Sequence, residues 1–551
     1  MIWLLKDFDL LAVMLRALTL GLEAVTLGGL AFLLLVAGPL AKAEERAGAE
    51  LGMGRLRRGV SIAAVGLGVT QVAATGLTVV MLTAGSGLRF TELLSASFLV
   101  SGAVLAASAG MIALLVRGRA RSMQRWCVLP GATLLAASVA MSHAASRLED
   151  RLLLSVFTAA HHLGTAAWLG AMVFLLLALR QPSLVDDAAL AQSVARRYSR
   201  LAMAGVALLV GGGLGLAWFY VGSWPGLYGT SYGVLVMAKS YLLLAMLLLG
   251  ASNQRLVSAG DLGLLYRLRR FSEAEIGLGF TAVLAAASLT SQAPAIDLAS
   301  PQDRVTGHEI VERLRWRAPR LTSPAVAALA PSVSLEAALP QQQFGSGRQN
   351  DANDRAWSEY NHHWAGLIVL AAGLLALAGR GLRHRPDAVH RWLHAVAQAW
   401  PLLFVGLALL IVLRADPENW PLGPRPFWAS FSRPDVLEHR LYAGLITCFA
   451  FFEWGVERRS LASRRAAYVF PLAFAAGGAV LLTHAHALGS VHEEMLAEFS
   501  HTPLALLGAT AGWARWLEVR LPGGREARVA SLVWPLCLVL VSVVLLDYRE
   551  S

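Results

Sequence analysis

Apolar runs of about twenty residues or more recur along the whole of this chain, with short connections between them. A run of that length crosses about 30 Å of hydrocarbon as a helix. The chain is therefore read as all-α, a polytopic helical membrane protein. Fourteen spans are expected, at about 10–40, 59–83, 92–116, 126–146, 152–179, 200–221, 233–257, 273–291, 361–379, 392–414, 437–456, 467–488, 499–519 and 529–547. Small-x-small residues at Ala41 and Ala43 resemble a signal cleavage site. However, Asp7 and Asp9 offset Lys6, and the apolar stretch is long, so a retained first span entering from outside is expected.

The basic residues fix the orientation. They fall in every second connection: Arg55, Arg57 and Arg58; Arg117, Arg119 and Arg121; Arg196, Arg197 and Arg200; Arg267, Arg269 and Arg270; Arg380, Arg383 and Arg385; Arg458, Arg459 and Arg464; Arg520, Arg525 and Arg528. Cytoplasmic connections collect Lys and Arg, so these face inward and both termini face the periplasmic side. The formal charge of +11 is thus topological, and no nucleic-acid partner is expected. Three separated cysteines, Cys127, Cys448 and Cys537, offer neither a CxxC site nor a disulfide framework.

One long interruption divides the chain into an eight-span part, 1–291, an outer linker segment, 292–360, and a six-span part, 361–551. The linker is rich in Pro, Ala, Gln and Arg and has no sustained apolar period, apart from a short interfacial helix expected at 309–316. The two halves share no convincing repeat.

The histidines are one-sided. Residues 483–501, THAHALGSVHEEMLAEFSH, hold His484, His486, His492 and His501 beside Glu493, Glu494 and Glu498, at the outer ends of two spans. His143, His362, His363 and His439 also lie at outer ends, and His161 and His162 lie about ten residues into the fifth span, roughly 15 Å deep. Imidazole binds copper, zinc and iron well, and thioether sulfur adds a preference for Cu(I); Met141, Met81 and Met495 are on the same side. Helix-end histidines also serve merely to bond lipid headgroups or backbone. Residues two apart do not share a helix face, so His484 and His486 cooperate only if the helix unwinds near Gly489. The adjacent pairs diverge by about 100°, so one member of His161/His162 and of His362/His363 faces elsewhere. Glu23 in the first span, with Arg16 seven residues earlier, and Lys239 in the seventh are intramembrane ionisable groups and candidates for a transport pathway. Arg16 and Glu23 are alternatively a structural pair, and Lys239 a snorkelling one.

Residues 198–255, YSRLAMAGVALLVGGGLGLAWFYVGSWPGLYGTSYGVLVMAKSYLLLAMLLLGASNQR, resemble the membrane domain of the CopD copper-resistance family. The likeness rests on the Tyr198-Ser199-Arg200 entry, the Gly-rich sixth span, Tyr232-Gly233, Lys239 and the Gly250, Asn253 and Arg255 exit. The fifth span is similar through His162, Trp168 and Gly170, and the six-span half resembles an extension of longer CopD-like proteins. The resemblance implies a bacterial inner-membrane protein that handles copper ions from the periplasm, beside a separate periplasmic carrier of the CopC type. The linker is too short, and lacks the strand alternation, to be that carrier. The expected reading is copper transport rather than enzymatic chemistry. His484, His486, His492 and His501 form the entry, with His439 or His362/His363, and Met141, His143, His161 and His162 form a deeper relay. Two alternatives stand: a redox protein holding haem b between histidines such as His143 and His161 or His162, and a factor that delivers copper without transporting it.

In a cysteine-free background, single cysteines at Ser86 and His308 are expected to react in intact cells with a membrane-impermeant thiol reagent, and cysteines at Arg58 and Arg267 to be protected. The opposite pattern at any one of them breaks the alternation.

Overall fold

The structure is a computed structural model. It describes the chain outside residues 1–7, 44–50, 87, 119–124, 183, 185–186, 260–263, 299–303, 325–351, 383–387, 418, 432–433, 459–464, 484–490, 522 and 550–551. The described residues are helical throughout, without a strand; a lone bridge pairs Asn419 with Arg425. The expected spans fall on helices or on consecutive helical segments, the twelfth being helical as far as Leu481 with 484–488 outside the described residues. Among the described residues, ten helices are long and apolar enough to cross a membrane, and Val128–Ala140 and Ala466–Leu481 are apolar but shorter. The short helix expected at 309–316 is observed two residues earlier, at Gly307–Leu314, where a reciprocal cap between Thr306 and Glu309 begins it.

The chain divides into two compact units, Met1–Leu227 with Leu235–Ala299, and Tyr228–Val234 with Ser300–Ser551. The first unit consists of α1 (Phe8–Ala31), α2 (Met53–Ser86), α3 (Ser97–Leu115), α4 (Val128–Ala140), α5 (Arg151–Thr165), α6 (Ala171–Leu179), α7 (Ala188–Tyr220), α8 (Ser231–Ala259) and α9 (Leu264–Leu289). A π turn, Ala166–Gly170, joins α5 to α6 within one continuous span. Without a hydrophobic force to drive helices together in lipid, close packing at small residues does that work. Here the contact is at its tightest between α1 and the π turn. A Cβ on Gly170 would lie 1.8 Å from the Ala24 carbonyl oxygen, and one on Gly28 would lie 2.3 Å from that of Ala166. These two glycines let the two backbones touch next to Glu23. On the other flank, α5 seats on the Gly-rich part of α7, where a Cβ on Gly212 would meet the Phe157 carbonyl oxygen at 2.6 Å.

The second unit holds α10 (Gly307–Leu314), α11 (Ala352–Leu382), α12 (Ala388–Ala397), α13 (Leu403–Arg414), α14 (Pro434–Glu457), α15 (Val469–Leu481), α16 (Val491–Arg520) and α17 (Arg525–Leu546). Its core is aromatic: Trp400, Phe404, Phe470 and Trp534 pack in tilted and edge-on pairs with ring centres 5.0–6.5 Å apart. Residues after 303 belong to this unit. Arg320 pairs with Glu359 at 3.2 Å, and Arg414 donates to Ser323 Oγ at 2.6 Å.

Gly170→Ala forces α1 and the π turn apart and is expected to abolish most of the folded yield in detergent. Gly110→Ala, where a Cβ meets nothing within 4 Å, is expected to leave yield and elution profile unchanged by size-exclusion chromatography.

Candidate functional site

The glycine contact between α1 and the π turn brings an intramembrane acid against an intramembrane base. His162, near the end of α5, places Nδ1 2.9 Å from Glu23 Oε1. Ser138 on α4 donates to Glu23 Oε2 at 2.7 Å and lies 3.4 Å from the same imidazole nitrogen. Glu23 is 3% exposed. A carboxylate that receives Nδ1–H selects the tautomer whose Nε2 carries the lone pair, and that arrangement orients a histidine as a metal ligand. Nε2 of His162 has no hydrogen-bond partner among the described residues. One turn along α4 from Ser138, Met141 shares its face, and its sulfur takes a contact from Gln71 Nε2 at 3.8 Å. Glu23, Ser138 and His162 thus meet in the middle of the bundle, and Met141 caps the end of α4.

The expected divergence of His161 and His162 is what the helix enforces. His161 turns to α7, donating from Nδ1 to the Leu209 carbonyl at 3.0 Å, and Gly213 leaves room for its ring, since a Cβ there would stand 3.3 Å away. Lys239 lies partly buried on α8 and makes no ion pair among the described residues. His143 donates from Nε2 to the Thr290 carbonyl at 3.0 Å and sits edge-on to Tyr220. The three imidazoles therefore turn to three different partners.

A second buried acid was not singled out from the sequence. Glu275 on α9 accepts from Trp168 Nε1 at 2.7 Å and from Asn253 Nδ2 at 2.9 Å, while Tyr198 donates to the Trp168 carbonyl at 2.9 Å. A cavity of about 290 Å³ adjoins it, lined mainly by apolar groups such as Met172, Leu175, Met203 and Val206. The signal was present: Glu275 follows Glu273 at the head of an apolar span. Glu273 pairs with Arg270 at 2.6 Å. Trp168, Tyr198, Gly250 and Asn253, singled out for their resemblance to a family, all line this place.

In the second unit, His362 and His501 both meet the ring of Tyr548, with ring centres 3.7 and 6.2 Å away. His363 is committed at both nitrogens: Nδ1 accepts from the Arg320 amide at 2.7 Å and Nε2 donates to the Tyr548 carbonyl at 3.0 Å. His439 holds Asp416 at 3.0 Å. His484 and His486 lie outside the described residues, and His492 lies on α16 with its side chain outside them. Among the described residues no three His, Cys, Asp or Glu side chains converge as a group that could hold a metal ion. Among the described residues, His362 and His501 share the ring of Tyr548, and Glu23 and His162 pair separately.

The family model described as CopD, copper resistance protein D, matches residues 192–289. That segment covers α7, α8 and α9 and includes Tyr198, Lys239, Asn253 and Glu275. No curated protein and no solved structure matches the chain.

Removing a hydrogen-bond donor from a buried carboxylate leaves it unsatisfied, at a cost of about 1–3 kcal/mol or more for a charged group. A double-mutant cycle of Glu23→Ala and His162→Ala, read by thermal unfolding, is expected to give a coupling of roughly 1–3 kcal/mol. Additive losses would separate the pair.

Proposed function

We propose, from the premise that a segment matched to the copper-resistance family sits in the first unit, that this polytopic helical membrane protein takes copper ions from the outer face into or across the membrane. The observation that carries the reading is the Glu23–His162 pair: an imidazole deep in a membrane bundle, its Nδ1 held by a buried carboxylate at 2.9 Å and its Nε2 left as a ligand atom.

The chemistry suits a passing cation. Carrying a charge through a low-dielectric bundle is costly, and a fixed negative group along the way offsets part of that cost. Glu23 supplies the negative charge and His162 a borderline-soft nitrogen, with Met141 supplying a thioether toward the α4 end, the kind of sulfur that favours Cu(I). Few ligands at each stop keep binding weak enough for release. On this reading the fourteen spans alternate as the arginine blocks require, both termini face the periplasm, and the membrane is the bacterial inner membrane. His362, His439, His484, His486, His492 and His501 collect copper at the outer face, and Glu493, Glu494 and Glu498 draw cations toward it. His143 and His161 line the first unit's passage, and Lys239 tunes its charge. His363, with both nitrogens bonded, supports the wall instead. Copper arrives on a separate periplasmic carrier of the CopC type.

The test is copper content of cells after induced expression, measured by mass spectrometry. Wild type is expected to accumulate copper above cells with an empty vector, and His162→Ala and Glu23→Ala to lose most of the excess at equal protein level. His363→Gln, which keeps hydrogen-bonding capacity, is expected to retain it. Full accumulation by His162→Ala would remove His162 from the passage.

A further inference from the structure

The second unit buries a cluster of charge that has no part in the copper reading. On α14, Glu453 and Glu457 are one turn apart. They face Arg515 and Glu518 of α16 and Arg380 of α11. Arg380 meets Glu457 at 3.0 Å and Glu518 at 3.4 Å; Arg515 meets Glu518 at 2.6 Å, Glu457 at 3.3 Å, and Glu453 by a short contact. Both guanidiniums lie over the ring of Trp534, which donates to Glu518 Oε2 at 2.6 Å. Arg380, Glu453, Glu457 and Arg515 are buried and Glu518 is partly so; Glu453 is 0% exposed.

Within this cluster Glu453 is the poorly served member. Glu457 and Glu518 each have two guanidiniums. Glu453 has only Arg515, which it shares with both other acids, and that bond uses Oε1. Its Oε2 is buried without a hydrogen-bond partner. Of the elements packed on α14, α15 and the turn Trp400–Leu402 carry no ionisable side chain, and α13 has only Arg414 at its far end. The turn Ala466–Tyr468 brings Tyr468, whose hydroxyl is bonded to Arg520, and His394 on α12 turns to Gln398. An ionised carboxylate with one oxygen bare in a dry interior is the arrangement proteins avoid, and such a group takes up a proton instead. A metal ion is a poor occupant, because two guanidiniums already crowd the cluster and its three acids do not converge as a metal-holding group.

We propose that Glu453 holds a proton in the folded protein, making this cluster a proton-binding site of the second unit, with Arg380 and Arg515 facing the ionised Glu457 and Glu518. Glu453 is then the group that can release a proton when the balance of its neighbours changes.

Infrared spectroscopy of the full-length protein in nanodiscs at neutral pH tests this through the carboxylic-acid C=O stretch, identified by its shift in D2O. Glu453→Gln is expected to remove a component of the acid band and to leave the carboxylate bands unchanged. Glu457→Gln is expected to remove the same component, because it frees a guanidinium and ionises Glu453. Glu453→Asp, which keeps the carboxyl, is expected to shift the component without removing it. An acid band identical in wild type, Glu453→Gln and Glu453→Asp, or a loss from the carboxylate bands in Glu453→Gln, overturns the proposal.

Discussion

An acid in the interior of a membrane bundle has to find a donor, because neither water nor lipid will supply one. Glu23 finds two, His162 and Ser138, on two different helices. Their positions depend on a steric fact a few residues away. Only glycine at 170 and 28 lets α1 lie against the π turn closely enough for the carboxylate to reach both donors. The electrostatic demand and the small-residue contact are therefore one device: the backbones touch so that the charge is met.

The π turn serves the same arrangement from its other end. π turns are rare and are frequent at functional sites. Here one follows His162, which faces α1 and α4, and carries Trp168, which donates to Glu275 on α9. A single span thus presents one donor to each of two buried acids. In the second unit the buried acids are met by guanidiniums over a tryptophan ring, a more expensive arrangement that the aromatic core packs around.

Much of this was legible in the sequence, for physical reasons. Span positions follow from run length, and the angular divergence of His161 and His162 follows from helical geometry, as their separate partners Leu209 and Glu23 show. The pairing of Glu23 was not legible. Arg16, seven residues away on the same helix, looked like its partner, whereas the close bonds come from residues 115 and 139 positions distant. Such contacts are fixed by which helices neighbour one another, and apolar periodicity in lipid carries little of that information. Glu275 was missed because its donors, Trp168 and Asn253, come from other helices. The outer histidine run 483–501 drew attention by density alone, while the described geometry set His501 beside Tyr548 and His362.

The central claim is that copper passes His162. Locating copper by anomalous scattering in the copper-loaded, reduced full-length protein tests it most directly. The account predicts an anomalous peak about 2 Å from His162 Nε2, with Glu23 still bonded to Nδ1, and its loss in His162→Ala. Copper bound only among the outer histidines, with none beside His162 at saturating metal, would contradict it.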